Sequence, residues 1–140
     1  MDGSNIYGSS LAVAETLRTK SRGLLKTSQS KTSLLKDLLP SCSTESSKSD
    51  NINPICKSCK SCFFAGDSRV NEHMNLIVMH TVWLREHNRV ARLLHKLNSH
   101  WTDETLYQEA RRIVVAEYQH IVYKEWLPLI LGMYILINLI

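Results

Sequence analysis

Asn75-Leu76-Ile77-Val78-Met79-His80-Thr81-Val82-Trp83-Leu84-Arg85-Glu86-His87-Asn88-Arg89-Val90-Ala91-Arg92-Leu93-Leu94-His95-Lys96-Leu97 decides the fold of this chain. Leu76, Met79, Trp83, Leu84, Val90, Leu94 and Leu97 recur close to a 3.6-residue period, which gathers them on one face of a long helix. Asn98-Ser99-His100 breaks the pattern. Thr102 then has the side chain of an N-cap, and Asp103 and Glu104 put negative charge where the helix dipole is positive. A second apolar stripe, Leu106, Ala110, Ile113, Val114, Ile121 and Val122, predicts a helix running to about Trp126. Nearer the N-terminus, Leu11, Val13, Ala14 and Leu17 predict a short helix over about residues 10–19, capped by Ser9 or Ser10. No stretch reads as a strand, and no segment repeats. The expected class is mainly α, with two long helices preceded by a cysteine-rich loop.

At 140 residues the chain can bury one core. Its 44% hydrophobic and 21% charged residues are ordinary for a globular protein. The net charge of +4 comes without a Lys/Arg run interleaved with aromatics, which argues against a nucleic-acid partner. Residues 1–20 hold no apolar core after a basic start, so no signal peptide is read in this chain. There is no Asn-x-Ser/Thr sequon. Residues 27–55, rich in Ser, Lys, Thr, Asn and Asp, read as a surface loop. The apolar run from Trp126 to Ile140 is about 15 residues long, short of the roughly 20 that span a bilayer, and Pro128 interrupts it. It reads as the end of a buried helix followed by a tail, with no membrane span.

Four groups of residues carry chemistry. Arg69 and Glu72 lie three apart just ahead of the first long helix, so both can face one pocket. A guanidinium there is a permanent positive charge with five donors, suited to polarising a bound oxyanion or peroxide. The carboxylate can pair with an ion, coordinate or form an ester. Alone, such a pair is more often a solvated surface ion pair. Cys42, Cys56, Cys59 and Cys62 are disulfide candidates with three connectivities, or four thiolates for zinc. Asp2-Gly3-Ser4 is either a turn or two oxygen ligands of a calcium site. His80 and His87 share a helix face and read as satisfied structural histidines; His73, His95, His100 and His120 show no partner pattern. Met79, Trp83, Trp101 and Trp126 read as packing residues.

Longer words in the sequence give these groups a context. Cys62-Phe63-Phe64-Ala65-Gly66-Asp67-Ser68-Arg69-Val70-Asn71-Glu72 and His80-Thr81-Val82-Trp83-Leu84-Arg85-Glu86-His87-Asn88-Arg89 closely resemble segments of the animal haem peroxidase family, with its myeloperoxidase-like, peroxinectin-like and chorion-peroxidase-like members. The resemblance continues through residues 101–114 and Tyr123-Lys124-Glu125-Trp126-Leu127-Pro128-Leu129-Ile130-Leu131-Gly132. Upstream it includes Asp2-Gly3-Ser4-Asn5-Ile6-Tyr7-Gly8-Ser9 and Arg22-Gly23-Leu24-Leu25-Lys26-Thr27-Ser28. It spans residues 1–132: part of a calcium loop at 1–9, a Ser/Lys/Cys-rich loop at 27–62, and the haem-side motif with two helices at 63–132. Residues 133–140 form a divergent hydrophobic tail.

This resemblance implies hydrogen-peroxide-dependent oxidation of a small electron donor, with covalently linked haem b and calcium as cofactors, in a secreted protein that answers oxidative stress. Arg69 matches the distal arginine that polarises the peroxide bond, and Glu72 the glutamate esterified to a haem methyl. Met74 falls one position late for the family's sulfonium link. Asp2 and Ser4 match two calcium ligands, and Cys62 matches a disulfide cysteine, with Cys56 or Cys42 as its implied partner. His80 and His87 match a helix-packing motif. The family's distal and proximal histidines match nothing in this chain, so the expectation is a fragment of the catalytic domain, inactive alone. The alternative is a non-catalytic helical binding or adhesion module. The electron donor and the oligomeric state are not legible.

Overall fold

The computed structural model describes residues 1–28, 37–41 and 62–132. Cys42, Cys56, Cys59, most of the Ser/Lys-rich loop and the tail 133–140 lie outside the described residues. The chain begins with two short helices, α1 (Ser4–Tyr7) and α2 (Leu11–Leu17). A 3-10 turn, Ser68–Asn71, leads into the long helix α3 (Met74–Leu97). Helix α4 (Asp103–His120) follows, then a π-helical turn, Ile121–Trp126, and α5 (Leu127–Leu131). Among the described residues there is no strand, only three isolated antiparallel bridges: Arg18 with Leu25, Ser28 with Leu38, and Ser41 with Phe63. The mainly α class read from the sequence is the class observed.

Helices α2, α3 and α4 each start at a side-chain cap. Ser10 accepts the Val13 N–H, Thr102 accepts the Thr105 N–H, and His73 accepts the Asn75 N–H through its ring. Helix α3 packs most extensively against α4. Leu84, Val90 and Ala91 of α3 and Ala110 and Val114 of α4 are buried together with Tyr7, Leu17, Leu25, Phe64 and Val70. Trp83 meets Tyr118 edge-on across the two helices, with ring centroids 5.1 Å apart.

Buried polar groups lock the N-terminal segment onto this pair. The Tyr7 hydroxyl bonds His87 Nδ1 at 3.0 Å, and His87 Nε2 reaches the Gly23 carbonyl at 2.8 Å. A carbonyl only accepts, so Nε2 carries the proton and Nδ1 accepts from Tyr7. Asn88 is bidentate to the backbone of Leu25, accepting its N–H at 2.8 Å and donating to its carbonyl at 3.1 Å. Arg18, whose side chain is 4% exposed, donates to Asp103 at 2.9 Å and Glu104 at 2.6 Å and lies 4.0 Å from the Tyr107 ring centroid. Gly23 has φ +69°, and a Cβ there would sit 2.6 Å from the Tyr107 nitrogen.

Several sequence expectations need correction. The helix expected to run to Trp126 changes register at Ile121, where the Leu127 N–H reaches back five residues to Val122. This wider turn brings Pro128 into the first turn of α5, where its missing N–H costs no helix bond. The stripe residues Leu76, Leu97 and Ile121, and the supposed packing residues Met79 and Trp126, are exposed. The buried positions of α3 are instead Thr81, Leu84, His87, Asn88, Val90 and Ala91, with His87 and Asn88 held by the N-terminal segment. The expected buried helix end is likewise open, with Leu129 84% and Ile130 62% exposed.

Candidate active site

The 3-10 turn carrying Arg69 is built by its neighbours. Asp67 caps it, accepting the Arg69 N–H at 2.9 Å. Asn71 clamps it to the preceding strand-like segment, accepting the Phe63 N–H at 2.9 Å and donating to the Phe63 carbonyl at 2.8 Å. Val70 is wholly buried beneath. Gly66 closes the other side: a Cβ there would lie 2.5 Å from the Gly8 nitrogen and 2.6 Å from the Ile6 carbonyl carbon. Only glycine lets these two backbone segments touch.

On this base Asp67, Arg69, Glu72, Leu76 and His80 line one open cavity of about 200 Å³. The three-residue spacing does bring Arg69 and Glu72 to a common pocket, but the arginine pairs with Asp67. Arg69 donates through Nε to Oδ1 at 3.1 Å and through Nη2 to Oδ2 at 2.8 Å. These bonds hold the Asp67 carboxyl down at about 2, with the backbone N–H of Arg69 adding to the effect. The pair leaves Nη1 of Arg69 uncommitted to Asp67, on a side chain 70% exposed. Glu72 is exposed and its carboxylate makes no hydrogen bond or ion pair among the described residues.

Asp67 was not singled out from the sequence. The signal was there in an Asp two positions ahead of an Arg at a helix start, where a short carboxylate both caps the turn and grips the side chain. His80 departs from the expectation of a satisfied histidine. Its Nδ1 bonds the Leu76 carbonyl at 2.7 Å, while its Nε2 is buried without a partner. Because the carbonyl accepts, Nδ1 donates to it, and Nε2 is left without a partner. His87, by contrast, is bonded at both nitrogens.

The other expected sites lie apart from this cavity or outside the described residues. Asp2 Oδ1 accepts the Ser4 N–H at 3.1 Å, a bond that lowers the carboxyl's pKa. Among the described residues no three His, Cys, Asp or Glu side chains gather to hold a metal. Cys62 is disulfide-bonded, which removes it from a zinc set; its partner is not among the described residues.

Compared with solved structures, the described framework is a haem-peroxidase-type helical fold. Peroxidase A from Dictyostelium discoideum superposes with a TM-score of 0.75 at 30% identity, covering 91% of this chain and 24% of that one. A fatty acid alpha-dioxygenase of Arabidopsis thaliana superposes with a TM-score of 0.66 at 26% identity, covering 91% and 16%. The chain belongs to the animal haem peroxidase family, whose profile matches residues 1–138. Its relatives include peroxidasin of Drosophila melanogaster, 47% identical over 134 residues, and lactoperoxidase of Mesocricetus auratus, 42% identical over 134 residues. Each match covers 94% of this chain but only 9% of that peroxidasin and 19% of that lactoperoxidase.

Proposed function

We propose that these residues supply one wall of the active site of a hydrogen-peroxide-dependent oxidoreductase. The observation that carries the reading is the shared cavity of Arg69 and Glu72, a fixed cation and a free carboxylate on one open depression. The donor set fits haem on its own chemistry: an exposed carboxylate for an ester, an uncommitted Nη1, and apolar Leu76 beside them. Glu72 would hold the haem covalently, and the bound haem would supply the redox iron at which peroxide is reduced. Asp2 and Ser4 would furnish two of the six to eight oxygens that calcium takes.

Arg69 does its part as a charge. Its guanidinium keeps its protons at any working pH, so it cannot act as the acid; it stabilises negative charge as that charge develops on the departing peroxide oxygen. Asp67 neutralises one edge of the guanidinium and fixes its plane, so the cation meets the substrate without reorganising. The donor would be a small reductant and the setting extracellular, in a response to oxidative stress.

Arg69→Gln, in the protein expressed from its native transcript, tests the reading by stopped-flow mixing with hydrogen peroxide. Removing one such stabilising group costs on the order of 100-fold in rate, and Arg69→Lys recovers part of it. A glutamine variant reacting at the parent rate overturns the assignment. A second reading, a helical binding module descended from a peroxidase, is favoured by the exposed run Ile121, Tyr123, Trp126, Leu129 and Ile130. Absence of any peroxide reaction in the parent, together with capture of a partner lost on Trp126→Ser, supports that module instead.

A further inference from the structure

On the side of α3 away from the Arg69 cavity, a groove of about 480 Å³ runs between this helix and the Lys20–Leu24 turn. Arg22, Arg89, Arg92 and Lys96 surround it, Leu24 and Leu93 supply its apolar wall, and among the described residues no acidic side chain lines it. Two of the cations are already engaged from outside: Arg89 by Glu86 at 2.6 Å and Arg92 by Asp37 at 3.1 Å. Arg22 and Lys96 have no ion pair or hydrogen bond among the described residues. His95, which also lines the groove, carries a buried Nδ1 without a hydrogen-bond partner.

The backbone presents Arg22 in a costly way. Its φ is +56°, in the left-handed region that L side chains seldom occupy. The turn is held there by its neighbour: the Gly23 N–H donates to Asp103 at 2.6 Å, and the Gly23 carbonyl accepts from His87 at 2.8 Å. The peroxidase reading gives Arg22-Gly23-Leu24 no task. A strained residue kept in place by buried bonds, with its cation unpaired at the rim of an open groove, calls for an anion.

We propose that this groove binds a small organic anion, a carboxylate or sulfonate on an apolar body. Its volume lies within the roughly 300–1,000 Å³ typical of small-molecule sites. The head group meets Arg22 and Lys96, an oxygen satisfies His95, and the apolar body lies on Leu24 and Leu93. The proposal is independent of peroxide chemistry.

The test is isothermal titration calorimetry of 2-naphthoate into the protein expressed from its native transcript. The uncharged analogue 2-naphthylmethanol and the double variant Arg22→Asn/Lys96→Gln run in parallel. Asparagine tolerates the left-handed conformation, so the variant removes charge without adding strain. The expected result is one site for 2-naphthoate, with affinity about tenfold lower in the double variant and about tenfold lower for the alcohol. No binding of 2-naphthoate, equal affinity for the alcohol, or equal affinity in the variant each overturns the proposal.

Discussion

His87 makes the stability of this fold depend on pH. Its ring is wholly buried, and burial, with Arg18 nearby, lowers its pKa from 6.5 to about 4. The folded state therefore binds fewer protons than the unfolded chain, whose histidine titrates normally. The contribution is fully present above about pH 6.5 and is lost as pH falls toward 4. At about 1.4 kcal/mol per tenfold, the loss reaches roughly 3 kcal/mol, a large share of the 5–15 kcal/mol that holds a typical domain together. Protonating Nδ1 also turns the acceptor of the Tyr7 hydroxyl into a donor, so the hydroxyl must rotate to accept and its own proton loses this partner. Urea unfolding of this chain, followed by tryptophan fluorescence from about pH 7 to about pH 4, reads the effect. His87→Gln keeps a donor and an acceptor and cannot titrate, so its stability declines less steeply over that interval. The depressed carboxyls of Glu86 and Glu104 lose their protection at lower pH and act equally in both proteins. Parallel loss in the parent and the glutamine variant refutes the role given to His87.

Other parts of the framework respond to different changes. Gly66→Ala drives a Cβ into the backbone of Ile6 and Gly8, which cannot swing aside, and costs on the order of 3 kcal/mol; a melting temperature within about a degree of the parent contradicts this contact. Arg18→Met loses its bonds to Asp103 and Glu104 and its place over Tyr107, for about 2 kcal/mol by urea denaturation, because the stranded carboxylates can rehydrate. Asp67→Asn removes a carboxyl held at about 2, so about 1 kcal/mol of stability is missing at neutral pH, allowing for the exposed guanidinium. The parent loses that increment only as pH falls through about 3.8 toward 2, and the variant does not.

Much of the fold could be read before the structure. Helix α3 was legible because its apolar period runs along most of its 24 residues and Asn98-Ser99-His100 breaks it, and α4 began where Thr102 announced it. The change of register at Ile121 was not, since a π-helical turn keeps its apolar residues and differs only in backbone bonding. Burial failed at Leu76, Met79, Leu97 and Trp126 for another reason. Periodicity marks a face as apolar but does not say what covers it. At the site, the spacing of Arg69 and Glu72 was enough to place both on one cavity. The grip of Asp67 and the unpartnered Nε2 of His80 depend on which way side chains turn, which no spacing records. Tyr7 and His87 are 80 residues apart in sequence, so their bond was invisible for the same reason.

We propose that Glu72 and Arg69 face haem from this chain. It is tested most directly by digesting the protein expressed from its native transcript, with haem supplied, after acid–acetone extraction, and weighing the peptide that contains Glu72. The expected result is a haem-sized mass retained on that peptide and lost in Glu72→Gln. Complete extraction of haem from the parent, or its retention in the glutamine variant, contradicts it.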